Sequence, residues 1–174
     1  MNLIVAVDKN WNIGNNGDLL ISIPEDMKFF RTTTSGKIVV MGRKTLESFP
    51  NKKPLKNRKN IVLTNNNSYS VDDAIIVHNI DELIEYIKDE DEKNVFVIGG
   101  SSIYKQLLPY CSIAYITKIN KAFEADSGFP NLDDDEDWSL VEQGEEKEYD
   151  GIKYSFCKYK KDLKIWNYEN KITN

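Results

Sequence analysis

The sequence predicts a single α/β domain built on a mostly parallel sheet, and three observations carry that prediction. Short apolar runs at residues 2–8, 37–41, 60–64 and 94–98 are continuous rather than alternating, as in strands buried on both faces of a parallel sheet. Between them stand apolar residues at helical spacing, Ile23, Met27 and Phe30 in one stretch and Leu83, Ile84 and Ile87 in another. Two of the runs also end in glycine and pass directly into helical sequence, at Gly42 and at Gly99-Gly100. No repeat, linker or break in composition interrupts the pattern, and 174 residues suffice to bury one sizeable core.

In chain order, residues 2–8 read as a buried first strand. Residues 9–21, rich in asparagine and glycine, read as a long loop able to close over a ligand. A helix follows. Ser22 and Glu25 have the spacing of a capping box, and Pro24 brings the fixed φ of a first helical turn. Asp26 lies inside the apolar stripe of that helix, which puts a carboxylate on the buried face. Burying an unpaired carboxylate costs roughly several kcal/mol, so something must answer it. Either an internal salt bridge or capping contact does so, or Asp26 is a polar ligand group held in an apolar slot.

The helix ends near Ser35-Gly36 and leads into the strand at 37–41. Gly42-Arg43-Lys44-Thr45 then opens a short helix to about Ser48. Free backbone N–H groups, a positive dipole end and two cations suit a phosphate there, although a plain surface helix has the same residues. It is not a Walker loop, because Ile38 stands where the first glycine of that motif belongs. After a basic loop at 50–59, the strand at 60–64 ends in Thr64 and Asn65, which fits the carboxyl edge where open α/β sheets bind ligands. A short strand at 74–77 precedes the Leu83 helix. His78, the only histidine, reads as a loop side chain between them rather than a catalytic group. Gly99-Gly100-Ser101-Ser102 offers a second close approach of backbone to phosphate, without the G-x-G-x-x-G spacing. Segments 113–119, 138–141 and 152–159 read as late strands, antiparallel at the sheet edge, around an acidic loop at 121–137. The domain is expected to span 1–159, with the polar extension 160–174 docked on it by Trp166 and Tyr168.

Composition excludes several classes. The first apolar run is too short for a signal peptide or membrane span and no later run is long enough, so a soluble cytoplasmic protein without a membrane partner is expected. Cys111 and Cys157 sit among apolar neighbours as buried thiols, and with one histidine they give no metal cluster. Lys28, Arg31, Lys37, Arg43, Lys44, Lys52, Lys53, Lys56, Arg58 and Lys59 crowd one segment of a chain whose net charge is −5. Most read as solvated surface. Their clustering favours an electropositive cleft for a small anion over a nucleic-acid face.

From residue 3 to residue 158 the order of motifs resembles dihydrofolate reductase. The residues that carry the resemblance are Ile13-Gly14, Gly17-Asp18-Leu19, Ile23-Pro24-Glu25-Asp26-Met27-Lys28-Phe29-Phe30, Val40-Met41-Gly42-Arg43-Lys44-Thr45, Leu55 with Arg58-Lys59-Asn60-Ile61-Val62-Leu63, Val97-Ile98-Gly99-Gly100-Ser101-Ser102-Ile103-Tyr104, and Tyr115-Ile116-Thr117-Lys118-Ile119. The resemblance implies about eight strands with one antiparallel C-terminal strand, helices on both faces, and NADPH-dependent reduction of 7,8-dihydrofolate to tetrahydrofolate. By the same resemblance, Asp26 bonds the pterin amino group and ring N–H with Thr117 supporting it, and Leu19 joins them in the catalytic set. Ile4, Val5, Met27, Phe30, Phe49, Leu55, Ile98 and Tyr104 line the pterin and benzoyl slot, and Arg58 takes the glutamate α-carboxylate. Ala6, Ile13, Gly14, Asp18, Gly99, Gly100, Ser101, Ser102, Ile103 and Tyr104 flank nicotinamide and pyrophosphate. Gly42, Arg43, Lys44, Thr45, Leu63, Thr64, Asn65 and His78 serve the rest of the cofactor, including its 2′-phosphate. The family's cis bond falls at Gly99-Gly100, and Asp126 matches the residue that braces the 9–21 loop. A water delivers the proton to N5 while Asp26 tunes the pterin. Antifolate inhibitors are implied as ligands, and a monomer is expected.

Two departures stand out. Ile21 replaces the family's tryptophan and loses its N–H donor, and Ser102 stands where arginine is common. A same-fold reductase of a flavin precursor shares the glycine pair but lacks the Asp26-Thr117 pair and Arg58. A non-catalytic NADPH- or pterin-binding protein is the other alternative, suggested by Ile21.

Overall fold

A computed structural model describes residues 1–162, and the expected docking of Trp166 and Tyr168 lies outside the described residues. The elements run β1 (Asn2–Val7), β2 (Asn12–Asn15), β3 (Asp18–Leu19), α1 (Pro24–Thr34), β4 (Ile38–Gly42), α2 (Arg43–Glu47), β5 (Lys59–Leu63), β6 (Ala74–Val77), α3 (Ile80–Ile87) and β7 (Val95–Gly99). There follow α4 (Ser101–Leu107), β8 (Ile113–Ile119), β9 (Ser127–Gly128), β10 (Trp138–Gln143), β11 (Lys147–Tyr149) and β12 (Ile152–Lys161).

The main sheet has the order β10-β12-β8-β1-β7-β4-β5-β6, with β11 paired to β12. Every pairing from β8 to β6 is parallel, and β12 runs against β8. Because β10 and β11 are antiparallel to β12, they point the same way as the parallel set. One strand alone is reversed, as the resemblance implies.

The continuous apolar runs are buried on both sides. Ile38 and Val40 of β4 join the large core that includes Leu83 and Ile87 of α3 and Ile103, Tyr104 and Leu107 of α4. Val39 and Met41 turn the other way and pack with Leu46 of α2. On that second face Ile23, which caps α1, packs with Ile119 and Tyr154. The helices therefore cover both faces of the sheet.

Four sequence expectations are corrected. Segment 113–119 is not part of an antiparallel edge; as β8 it lies parallel to β1, because α4 carries the chain back across the sheet. The 9–21 loop is not unstructured, since β2 and β3 pair within it and β9, from the acidic loop, completes a small second sheet. Ser22 does not cap α1. Ile23 occupies the cap position with Pro24 in the first turn and makes no side-chain cap bond, while Glu25 is drawn away by the Tyr154 hydroxyl, which donates to it at 2.7 Å, and by Lys147 at 2.9 Å. Ile84 also leaves the buried stripe of α3, where Leu83 and Ile87 are buried and Ile80 packs against the core.

Candidate active site

Two regions meet at the carboxyl ends of the parallel strands. The first centres on Asp26, half-buried in the first turn of α1. Thr117, 2% exposed in β8, donates its hydroxyl to Asp26 Oδ1 at 2.6 Å. Burial pushes the Asp26 carboxyl above the ordinary aspartate range, and the Thr117 hydrogen bond opposes that shift without cancelling it. Among the described residues no cation lies within ion-pair distance of Asp26, and its Oδ2 has no protein hydrogen-bond partner. Among the described residues no internal salt bridge answers this carboxylate. Thr117 satisfies one oxygen and the other is left for a donor from a ligand.

The predicted slot residues come from several elements. Ile4 and Tyr104 are buried, and the Tyr104 hydroxyl donates to the Ile4 carbonyl at 2.7 Å, joining β1 to α4. Phe49, Leu55 and Ile98 are partly buried against Val39, Met41, Leu46 and Val62. Met27, Phe30 and Val5 are half-buried. Arg58 lies over the Phe30 ring, 5.8 Å from its centroid. Its Nε donates to Thr34 Oγ1 at 2.8 Å and its Nη1 and Nη2 to the carbonyls of Lys56 and Arg31 at 2.7 and 3.3 Å. Desolvation and the Arg31 charge pull its pKa down from the ordinary value, yet it remains a cation at any working pH. Buried Thr34, which fixes Arg58, carried no signal in the sequence.

The second region is a cleft of about 760 Å³, within the range of small-molecule sites. Its walls are the residues that follow the ends of β4, β5, β6 and β7. Of the predicted cofactor residues, Gly42, Arg43, Lys44, Thr45, Leu63, Thr64, Asn65, His78, Gly100, Ser101, Ser102 and Ile103 line it. Ala6, Ile13, Gly14, Asp18, Gly99 and Tyr104 do not. Ala6 packs in the Ile23 cluster, Ile13 against the main core, and Gly14 and Asp18 lie in β2 and β3. Leu19 stands apart as well, 64% exposed at the tip of the small sheet.

Several polar groups in the cleft are already oriented. Arg43 is tied to Glu47 one turn on, with Nη1 at 3.0 Å from both carboxylate oxygens. Lys44 has no ion-pair partner among the described residues. His78 Nδ1 lies 2.9 Å from the Thr64 carbonyl, and its backbone N–H donates to Glu82. A Cβ on Gly100 would stand 3.3 Å from Thr45 Oγ1, so glycine keeps the cleft floor open there. The Gly99-Gly100 peptide bond is cis. Sequence reasoning missed Asn79, Ile80, Asp81, Gln106 and Ser127, which also line the cleft. Asn79 was readable, because its spacing to Glu82 marks a helix start and its Oδ1 does accept from the Glu82 N–H at 2.8 Å.

Asp126 links the cleft to the 9–21 segment. Its carboxylate accepts from the Asn16 N–H at 2.9 Å and its own N–H donates to the Gly14 carbonyl. Ser127 Oγ donates to the same carbonyl, and Ser101 Oγ to that of Gly128 at 2.6 Å. At the base, burial alone would raise the Asp8 carboxyl, but the N–H groups of Phe123, Asn12 and Asn10 hold it below the usual range.

Comparison with known proteins agrees with this geometry. A family model described as dihydrofolate reductase matches residues 1–161. The chain belongs to the dihydrofolate reductase family. It is 38% identical over 163 residues to dihydrofolate reductase of Bacillus subtilis (strain 168), covering 92% of this chain and 94% of that protein. It is 39% identical over 180 residues to the Heliothis virescens enzyme, covering 92% and 97%. Among solved structures, dihydrofolate reductase from Enterococcus faecalis complexed with NADP(H) and RAB-propyl superposes with a TM-score of 0.82 at 33% identity, over 92% of this chain and 95% of that one.

Proposed function

We infer that the chain reduces 7,8-dihydrofolate to 5,6,7,8-tetrahydrofolate with NADPH. The observation that carries this reading is Asp26, whose carboxylate is held by Thr117 and otherwise unanswered among the described residues. The residues present fit the cofactor: the cleft offers two cations, the hydroxyls of Thr45, Thr64, Ser101 and Ser102, and a floor kept open by Gly100. When bound, NADPH supplies the hydride that the pterin receives. The chain supplies the rest. Asp26 orients the pterin through its amino group and ring N–H and keeps a proton near the ring, while a water completes delivery to N5. Ile4, Val5, Met27, Phe30, Phe49, Leu55, Ile98 and Tyr104 exclude bulk water along the slot. Arg58 takes the α-carboxylate, and Leu19 closes over the site from the small sheet braced by Asp126. Ala6, Ile13, Gly14, Asp18 and the 99–104 segment flank the nicotinamide and pyrophosphate. Antifolates occupy the same slot. One reductase domain over 1–159, acting as a cytoplasmic monomer, completes the proposal.

The test follows NADPH absorbance on adding dihydrofolate. Rapid oxidation supports the reading, and NADPH binding without oxidation moves a non-catalytic binding protein to the front. Cofactor choice gives a second result. Arg43 and Lys44 are the cations of the cleft, so Arg43→Ala should weaken NADPH by about tenfold while affecting NADH far less, because a guanidinium on a phosphate is a strong charge-assisted contact. An equal loss for both cofactors would contradict the assignment.

Ile21 provides a third. It packs, partly buried, against the Ile23, Ile119 and Tyr154 cluster beside Ala6 and Phe123. Ile21→Trp restores both bulk and an N–H donor at this wall. It should change turnover or antifolate affinity several-fold, and identical kinetics and inhibition would remove Ile21 from the site.

A further inference from the structure

We propose that Tyr154 and Lys147 are positioning residues for the reaction: they grip the Glu25 carboxylate at two points and so fix the first turn of α1, which sets where Asp26 meets the pterin. The proposal rests on the dihydrofolate reading and deepens it, adding groups that act through Asp26.

The first turn of α1 needs such a grip. A side-chain cap ordinarily ties down the start of a helix, but Ile23 holds the cap position here and supplies none. Two consecutive carboxylates stand in that turn, and the sheet treats them differently. Glu25, although exposed, has both oxygens taken: the Tyr154 hydroxyl donates to Oε2 at 2.7 Å, and Lys147 Nζ lies 2.9 Å from Oε1. Asp26 has Oδ1 taken by the Thr117 hydroxyl at 2.6 Å and keeps Oδ2 for a ligand. Of the two neighbouring acids, the grip leaves only Asp26 with a free oxygen.

Strand register explains how one surface holds both. Thr117 and Ile119 are two residues apart on β8 and share a face. Across the ladder Phe156 lies opposite Thr117, and Tyr154 opposite Ile119. Tyr154 in turn stands opposite Lys147 of β11. The Thr117 hydroxyl, the Tyr154 hydroxyl and the Lys147 ammonium therefore project from one side of three adjacent strands, and α1 lays Asp26 and Glu25 on them. Packing reinforces the fit. Ile23, Ile119 and Tyr154 form a buried cluster with Phe156 against it, and the Phe29 ring of α1 lies 4.7 Å from that of Phe156. Burial first, then the Glu25 hydrogen bond and the charges of Glu25 and Asp26, push the Tyr154 hydroxyl up to about 12, so it stays a donor at any working pH. Without that hydroxyl, Glu25 keeps only its pair with half-buried Lys147, and ion pairs reached by solvent hold weakly.

The experiment measures kcat/KM for dihydrofolate and Kd for NADPH in Tyr154→Phe and in Lys147→Met, each made in the wild-type chain and in Asp26→Asn. Phenylalanine keeps the ring in its cluster and removes only the hydroxyl. In the wild-type chain Tyr154→Phe should lower kcat/KM about tenfold and Lys147→Met about threefold, because small misplacements of a positioned group are costly, and Lys147→Arg should keep the wild-type value. NADPH affinity should stay within about twofold, since neither residue lines the cofactor cleft. In the Asp26→Asn chain both substitutions should lose their effect, because the group they position is gone. An equal loss in both backgrounds, or NADPH affinity falling in step with kcat/KM, would make the contacts merely structural and overturn the proposal. Unchanged kcat/KM in the wild-type chain would overturn it too. Should Tyr154→Phe fail to fold, the Lys147 variants carry the same comparison. A wild-type protein that does not turn over dihydrofolate would instead overturn the reductase reading on which the proposal rests.

Discussion

Replacing Asp26 by asparagine should lower kcat/KM for dihydrofolate by about 10²–10⁴ at neutral pH, the range for loss of a positioned proton-handling group. Asparagine is nearly the same shape and can still accept the Thr117 hydroxyl at 2.6 Å, so the loss reads the carboxylate rather than the packing. The amide offers one acceptor where the carboxylate offers two, and it holds no exchangeable acidic proton. The pH profile separates these effects. Reduction consumes a proton at N5, and burial raises the Asp26 carboxyl above 3.8, keeping its protonated fraction appreciable at higher pH than for an ordinary aspartate. Wild-type turnover should fall as pH rises through that raised titration, and the variant's residual turnover should lack the step. A variant with wild-type rate, or with the same pH dependence, would remove Asp26 from the chemistry.

The same shift makes a statement about stability. An aspartate whose pKa is raised on folding binds its proton more tightly in the folded chain. Its stabilising contribution is therefore complete below the unfolded value near 3.8 and is lost as pH rises through the folded value. At neutral pH the ligand-free protein carries a desolvated charge that asparagine would not. Asp26→Asn should therefore melt no lower than wild type at pH 7, and higher if desolvation dominates, while activity collapses. That opposition is the usual mark of a functional site held against folding stability.

Asp26 shows how much of the site the sequence displays. A carboxylate within an apolar helical stripe is visible from spacing alone, and so is the need for a partner. That the partner is Thr117, 91 residues away, is a tertiary fact that spacing does not contain. The parallel strands were legible because burial on both faces demands continuous apolar runs. β8 was misread because Tyr115, Thr117 and Lys118 break that continuity, Thr117 because the site needs its hydroxyl and Lys118 because it pairs with Asp133 at 2.6 Å. The small sheet was hidden for another reason: β2 and β3 are short, and β9 joins them from residues 127–128. The capping spacing at Ser22 failed because a stronger offer came from elsewhere. The Tyr154 hydroxyl, raised to about 12 chiefly by desolvation with the Glu25 hydrogen bond adding to it, lies 129 residues along the chain from its acceptor.

Gly99→Ala should destabilise the fold by roughly 1–3 kcal/mol and weaken cofactor binding with it. Gly99 ends β7 with φ +126°, a conformation that residues bearing a Cβ rarely adopt, and such strain costs about 1–3 kcal/mol. The added methyl would also stand 3.4 to 3.6 Å from the Tyr104 ring and hydroxyl. These are ordinary contacts as they stand, so the backbone carries most of the cost. If the backbone relaxes to a negative φ, however, the turn into α4 rotates, and with it Tyr104, whose hydroxyl bond to the Ile4 carbonyl joins α4 to β1. Either route disturbs Ser101 and Ser102, which line the cleft one turn on. Gly151→Ala is the matched control. Its φ of +73° is left-handed too, but it lies in the exposed turn between β11 and β12 with nothing within 4 Å of a new Cβ. That substitution should cost about 1 kcal/mol, the ordinary penalty for a left-handed residue with a Cβ. Chemical denaturation of both variants, with NADPH affinity measured alongside, decides the matter. Equal losses for the two would mean that Gly99 is needed only for its backbone angle, and a Gly99→Ala protein within about 0.5 kcal/mol of wild type would deny it even that.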